Sequence, residues 1–186
     1  MLSTILKEQT LGPHQELEKV LITHLKGIEN IEDYLKILRW FYYFYAPLER
    51  QILHYLPSAL LDDYRLRRKS DLLIHDIQSL KGEIDAQADS ITPGVSVGNL
   101  AEAFGAMYVL EGSTLGGSVI SALIMKKLSV CSEVNLTFFL GYGNETMAMW
   151  EKFKFMLNHY PLDDLQKESV VNTANQTFFK FKQSIA

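Results

Sequence analysis

The 186-residue sequence contains one cysteine, Cys131. No intrachain disulfide can form, and nothing points to an oxidising compartment. An excess of positive charge is also lacking: 18 basic residues against 22 acidic ones leave a formal net charge of −4. With no dense basic stripe, nucleic acid is not an expected partner. The one concentrated basic cluster, Arg65-Leu-Arg67-Arg68-Lys69, is short and soon followed by Asp71, and it reads as a solvated helix face. No apolar run reaches the roughly 18–20 residues that a membrane span needs, so no membrane insertion is expected. The first ten residues include Lys7 and Glu8 and lack the apolar core and cleavage site of a signal peptide. The cytoplasm is the expected compartment. Several usual catalytic signatures are missing as well: there is no HExxH, CxxC or P-loop. No Glu-x-x-His pair occurs, which leaves a ferritin-like di-iron site unsupported.

What is present is an ordinary globular composition, 47% hydrophobic and 22% charged, at a length that suits one domain over residues 1–186. A chain of this size buries roughly 70% of its unfolded surface without staples. Apolar residues follow the helical period nearly everywhere, and no strand pattern or internal repeat is found, so an all-α bundle is expected. Ser3 caps a first helix that ends at Gly27 and is kinked by Pro13. A second runs from about Ile31 to Tyr55, bent at Pro47, and a third from about Leu60 to Leu80. Gly82 to Gly98 reads as a loop. Asn99 caps a long fourth helix to about Leu128, a break and a short Gly-punctuated aromatic segment follow, and two more helices cover Thr146–His159 and about Leu162–Gln183.

Two features stand out chemically. His14 shares a helix face with Leu11, Leu17 and Leu21, as either a core residue or a ligand; His24 lies near the same face and competes with it. The fourth helix carries Gly105, Gly112, Gly116 and Gly117. Each costs about 0.8–1.0 kcal/mol relative to alanine inside a helix. Something gains from the bare backbone, either close helix packing or a ligand lying against it. Together, an imidazole on one helix and a glycine-rich face on another make a sandwich for a flat metallated macrocycle. The aromatic run Trp40 to Tyr45 reads mainly as core, though some members could face a flat ligand.

At these residues the sequence resembles the heme oxygenase family, and more closely its bacterial, biliverdin-producing branch. Leu6-Lys-Glu-Gln-Thr-Leu-Gly-Pro-His14 is similar to the family's N-terminal helix, and Tyr108-Val-Leu-Glu-Gly-Ser-Thr-Leu-Gly-Gly117 to its distal-helix motif. Gly141-Tyr-Gly143, Trp150, Phe153 and the Ala174 to Phe178 segment agree in order. The resemblance implies His14 as proximal iron ligand, with Gly112, Gly116 and Gly117 forming the wall on the dioxygen side. It implies Lys7 and Lys154 (with Lys152 as the other register) as contacts to the heme propionates, and Tyr108 as a further heme contact. Ser113 stands where animal members carry a water-ordering aspartate, and takes that catalytic position here. Heme would be both substrate and cofactor, cleaved to biliverdin, carbon monoxide and ferrous iron. Electrons would come from a ferredoxin or flavin reductase.

The alternatives are a heme carrier or sensor without turnover, a helical interaction module whose glycines only pack helices, and an enzyme acting through Cys131.

Overall fold

The computed structural model of the chain describes residues 1–85 and 94–186. The N-terminal periodicity folds as two helices rather than one, α1 (Leu2–Gln9) and α2 (Leu11–Lys26). The break falls at Thr10, whose φ of −101° and ψ of 0° leave the helical region. Its hydroxyl donates to the Leu6 carbonyl at 2.7 Å. Pro13 therefore kinks nothing: it sits in the first turn of α2, where its missing N–H has no intrahelical partner to lose. Nor is Ser3 a cap; Met1 precedes the first turn, and the Ser3 N–H donates to Asn158 Oδ1.

Helix α3 (Ile31–Tyr55) has the expected bounds. Asn30 and Asp33 cap it reciprocally, each side chain accepting the other's backbone N–H. It continues unbroken through Pro47. The aromatic run is core as read: Phe41, Phe44 and Tyr45 are buried, and their rings pack against Phe138, Phe139 and Phe181.

The expected third helix is two, α4 (Ser58–Arg65) and α5 (Asp71–Ser79). Between them the basic cluster turns inward. Arg67 is 3% exposed and Arg68 9%, so the cluster is not a solvated face. Buried charges need partners, and reaching those partners takes the chain out of the helix. Of the expected loop, residues 86–93 lie outside the described residues.

The fourth helix appears as α6 (Leu100–Gly112), one 3-10 turn at Ser113–Gly116, and α7 (Gly117–Lys127). The Asn99 side chain accepts the Glu102 N–H and caps it as expected. The run Leu100–Lys127 is long and apolar enough to cross a bilayer by length and composition, and half of its most apolar window is buried inside the fold. It is the central element: α6 is apolar on all sides because it packs against α3, α10 (Thr146–His159) and, most extensively, α11 (Asp164–Ile185). Two single-turn helices, α8 (Ser132–Asn135) and α9 (Thr137–Leu140), close the bundle beside α7. The buried Asp76 carboxylate caps α9, accepting from the N–H groups of Thr137 and Phe138 and from the Thr137 hydroxyl. The described residues contain no strand, and the all-α architecture stands.

Candidate functional site

His14 lies in the second turn of α2. Its side chain is 47% exposed, its Nε2 is 3.2 Å from Glu18 Oε1, and its ring tilts against Phe178 at 5.1 Å. Glu18 is one turn further along α2, a carboxylate placed to hold one ring nitrogen and leave the other free. His24 is differently placed. Its Nε2 meets the Ile185 carbonyl at 2.8 Å and its ring stands edge-on to Trp40, so this histidine already has partners in the fold.

The glycines divide into two classes. A Cβ on Gly105 would stand 2.4 Å from the Val170 carbonyl oxygen, and one on Gly117 would stand 1.9 Å from that of Phe139. Both positions serve close helix packing. Close approach of α9 thus accounts for the glycine at 117. A Cβ on Gly112 would make ordinary contact with the Trp150 ring at 3.6 Å, and one on Gly116 would meet nothing within 4 Å. No neighbour among the described residues requires these two to be bare. They bracket the 3-10 turn, where the helix tightens for one turn before resuming.

Ser113 is in that turn. Its hydroxyl donates to the Leu110 carbonyl at 2.7 Å and accepts from Tyr45 Oη at 3.0 Å and Arg68 Nη2 at 2.7 Å. A hydroxyl has one proton and two lone pairs, and all three are engaged. Ser113 therefore anchors the turn; its hydroxyl has no capacity left to order water. Arg68 Nη2 also donates to the Leu110 carbonyl, and its guanidinium lies 4.0 Å over the Phe138 ring. On the other side of Gly112, Glu111 accepts from Arg67 Nη1 at 2.7 Å and from the Tyr142 hydroxyl at 3.0 Å. Arg67 continues to Asp63, which pairs with Lys152. Burial disfavours the charged Arg67, yet Glu111 and Asp63 more than offset it and keep its guanidinium protonated. Burial likewise raises the Asp63 carboxyl, and Lys152 and Arg67 together reverse this and hold it below the ordinary carboxylate value.

The expected cations differ in setting. Lys7 is exposed in the last turn of α1 with no ion pair among the described residues. Lys154 pairs with Glu151 at 2.8 Å and stands 5.7 Å from the centre of the Trp150 ring, next to Gly112. Lys152 belongs to the Asp63 network. Tyr108 is buried, with its ring 5.4 Å from Trp150; burial raises its hydroxyl, and the nearby Thr10 side chain opposes this. Two surface cavities, of about 410 Å³ and 150 Å³, involve neither His14 nor the glycines; His24 lines the smaller. Cys131 is exposed and its thiol donates to Glu133. No group of three or more metal-binding side chains occurs among the described residues. Any metal held at His14 must therefore bring its own further ligands, as a macrocycle does.

Sequence reasoning missed Tyr45, Glu18, Arg67, Arg68 and Glu111 as parts of this site. One signal for the arginines was available. Glu111 is the only charged residue between Ala103 and Met125. A lone acid in an apolar helix requires a basic partner, and the Arg67-Arg68 pair is the concentrated source of one.

The family model for heme oxygenase matches residues 1–186. A heme oxygenase of Xanthomonas campestris pv. campestris (strain 8004) is 26% identical over 161 residues, covering 87% of this chain and 93% of its own length. Among solved structures, the NO- and CO-bound heme oxygenase of Neisseria meningitidis superposes with a TM-score of 0.77 at 19% identity, over 100% of this chain and 90% of that one. The heme oxygenase of Leptospira interrogans gives 0.78 at 19% identity, over 99% and 98%. Heme oxygenase-2 of Synechocystis sp. PCC 6803, solved with heme and NO, gives 0.75 at 18%, over 99% and 83%. With the family model spanning residues 1–186 of this all-α chain, the protein belongs to the heme oxygenase family.

Proposed function

We propose that this chain opens heme to biliverdin, carbon monoxide and ferrous iron, with electrons from a separate donor such as a ferredoxin or flavin reductase. The observation that carries this is Gly116. It has a φ of −84° and a ψ of −10°, which any residue adopts, and no packing neighbour, so neither conformation nor the fold asks for glycine there. A flat ligand lying against the backbone does.

Heme is the substrate and also supplies the iron at which dioxygen is activated. The residues fit it: a half-open imidazole on α2, two bare backbone positions at the distal turn, and cations available for its carboxylates. His14 acts as the axial ligand, with the Glu18 carboxylate holding the ring so that one nitrogen keeps its lone pair for the metal. Gly112 and Gly116 would leave bare backbone, free of side-chain bulk, against the macrocycle. Lys7 and Lys154 serve the propionates by charge-assisted bonds. The exposure of Lys7 and the position of Lys154 beside Trp150 support this pairing. Ser113 does its work indirectly, fixing the turn through Tyr45 and Arg68. A single cysteine cannot hold an iron–sulfur cluster, so electrons arrive from outside. The free, exposed Cys131 suits a reducing, cytoplasmic setting.

The test is to titrate the apoprotein with hemin, record the visible spectrum, and then supply ascorbate or a reductase under air. A Soret band followed by biliverdin is expected. Absence of any Soret shift would overturn every heme-binding role, and a Soret band without biliverdin would make the protein a carrier.

A further inference from the structure

The Gly141-Tyr142-Gly143 turn has no part in the chemistry above, yet it reaches the most constrained point of the distal wall. Two consecutive arginines grip the chain on both sides of Gly112. Arg67 takes Glu111 at 2.7 Å, and Arg68 takes the Leu110 carbonyl at 2.8 Å and the Ser113 hydroxyl at 2.7 Å. The arginines themselves lie in a non-helical link between α4 and α5, so the grip is only as firm as that link. Tyr142 is what joins the two halves. Its hydroxyl accepts the Arg68 backbone N–H at 2.7 Å and donates to the Glu111 carboxylate at 3.0 Å. The turn that presents it has glycines with φ of +56° and +55° on either side, a conformation that side-chain-bearing residues rarely adopt.

We propose that Tyr142 is a positioning residue that locks the Arg67-Arg68 clamp and thereby sets where Gly112 and Ser113 stand over the substrate. The proposal rests on the heme reading for its consequence, and on the hydrogen bonds alone for its mechanism. Removing the hydroxyl frees one donor and one acceptor at once: the Arg68 N–H loses its acceptor and Glu111 loses a donor. The clamp then acquires slack, and the bare backbone at Gly112 no longer holds a single distance.

The test compares Tyr142→Phe with the unaltered protein in two states. In the apoprotein, amide exchange at Arg68 and at residues 112–114 accelerates about three- to tenfold, the worth of one hydrogen bond, while amides of α2 are unchanged. With hemin bound and a reductase supplied, peroxide released per biliverdin formed rises about threefold or more at unaltered hemin affinity. Gly143→Ala strains the turn but keeps the hydroxyl, meets no neighbour, and shows the same shifts in smaller measure; it replaces the first variant if that one does not fold. Unchanged exchange at Arg68 and residues 112–114 in folded variants overturns the proposal, and so does faster exchange with an unaltered product ratio. If the unaltered protein takes up no hemin, the heme reading fails by itself, and amide exchange in the apoprotein still supports or overturns the lock.

Discussion

Gly116 and Gly117 are neighbours in sequence with opposite surroundings, and substitution separates what each is for. A methyl on Gly117 runs into the Phe139 carbonyl oxygen, so Gly117→Ala forces α7 from α9 and costs about 3 kcal/mol of stability, read as a lowered melting temperature of the apoprotein. A methyl on Gly116 enters open space, so Gly116→Ala leaves the apoprotein as stable or up to about 1 kcal/mol more so. Its cost appears only on the ligand side, as weakened hemin binding or lost turnover. A Gly116→Ala protein with full activity would remove the main support for a ligand at this wall. Lys69 gives a second residue-scale expectation. Burial lowers its ammonium to about 8 from the ordinary 10.5, although Glu49 and Glu111 draw it upward. Between those values the unfolded chain holds a proton that the folded chain has released. This group therefore makes folding more favourable as pH rises through that window, and is a burden below it. Denaturation of the unaltered protein and of Lys69→Met at pH 7 and pH 9.5 should show the unaltered protein gaining on the variant; parallel pH dependences would contradict the burial of the amine.

At the scale of elements, α9 shows how a short helix exists at all. One turn has no propensity to form alone. It is held by Asp76, which takes the N–H groups of Thr137 and Phe138 at 3.0 Å each and the Thr137 hydroxyl at 2.6 Å. Replacing Asp76 with alanine leaves buried donors unmatched and costs about 3 kcal/mol. Because Phe139 presses on Gly117, the loss is expected to reach the distal turn, seen as faster amide exchange across Ser113–Gly116. The distal turn itself lies between two helices that answer to different partners. Helix α6 is fixed by α11 through Gly105, and α7 by α9 through Gly117. The single 3-10 turn absorbs the mismatch between them.

At the scale of the whole molecule, the proposed function has heme joining α2 to the distal turn. Hemin binds the folded state only, so a roughly hundredfold excess over its Kd adds about 3 kcal/mol. For a chain of this size that raises the melting temperature by roughly 5–10 °C. His14→Ala removes most of the shift, whereas His24→Ala, whose ring already meets the Ile185 carbonyl, retains it after allowing for a lower apoprotein baseline. A shift that survives His14→Ala and vanishes with His24→Ala would reverse the assignment of the ligand.

Helix content and the bounds of α3 and α10 are local properties. Periodicity, caps and composition specify them within a turn or two, and these were legible in the sequence. The break at Thr10, the separation of α4 from α5 and the burial of Arg67 and Arg68 were not. The burial of the two arginines depends on partners far along the chain: Arg67 on Glu111 and Arg68 on Ser113. Sequence alone shows four costly glycines in one stretch and one histidine on an apolar face. Only the tertiary structure divides the glycines into two that pack and two that stand open, and only it shows that the Ser113 hydroxyl is fully engaged. The reason is physical. What a helix can form is decided by residues three and four apart, but what a bare backbone or a hydroxyl faces is decided by whichever distant segment folds against it.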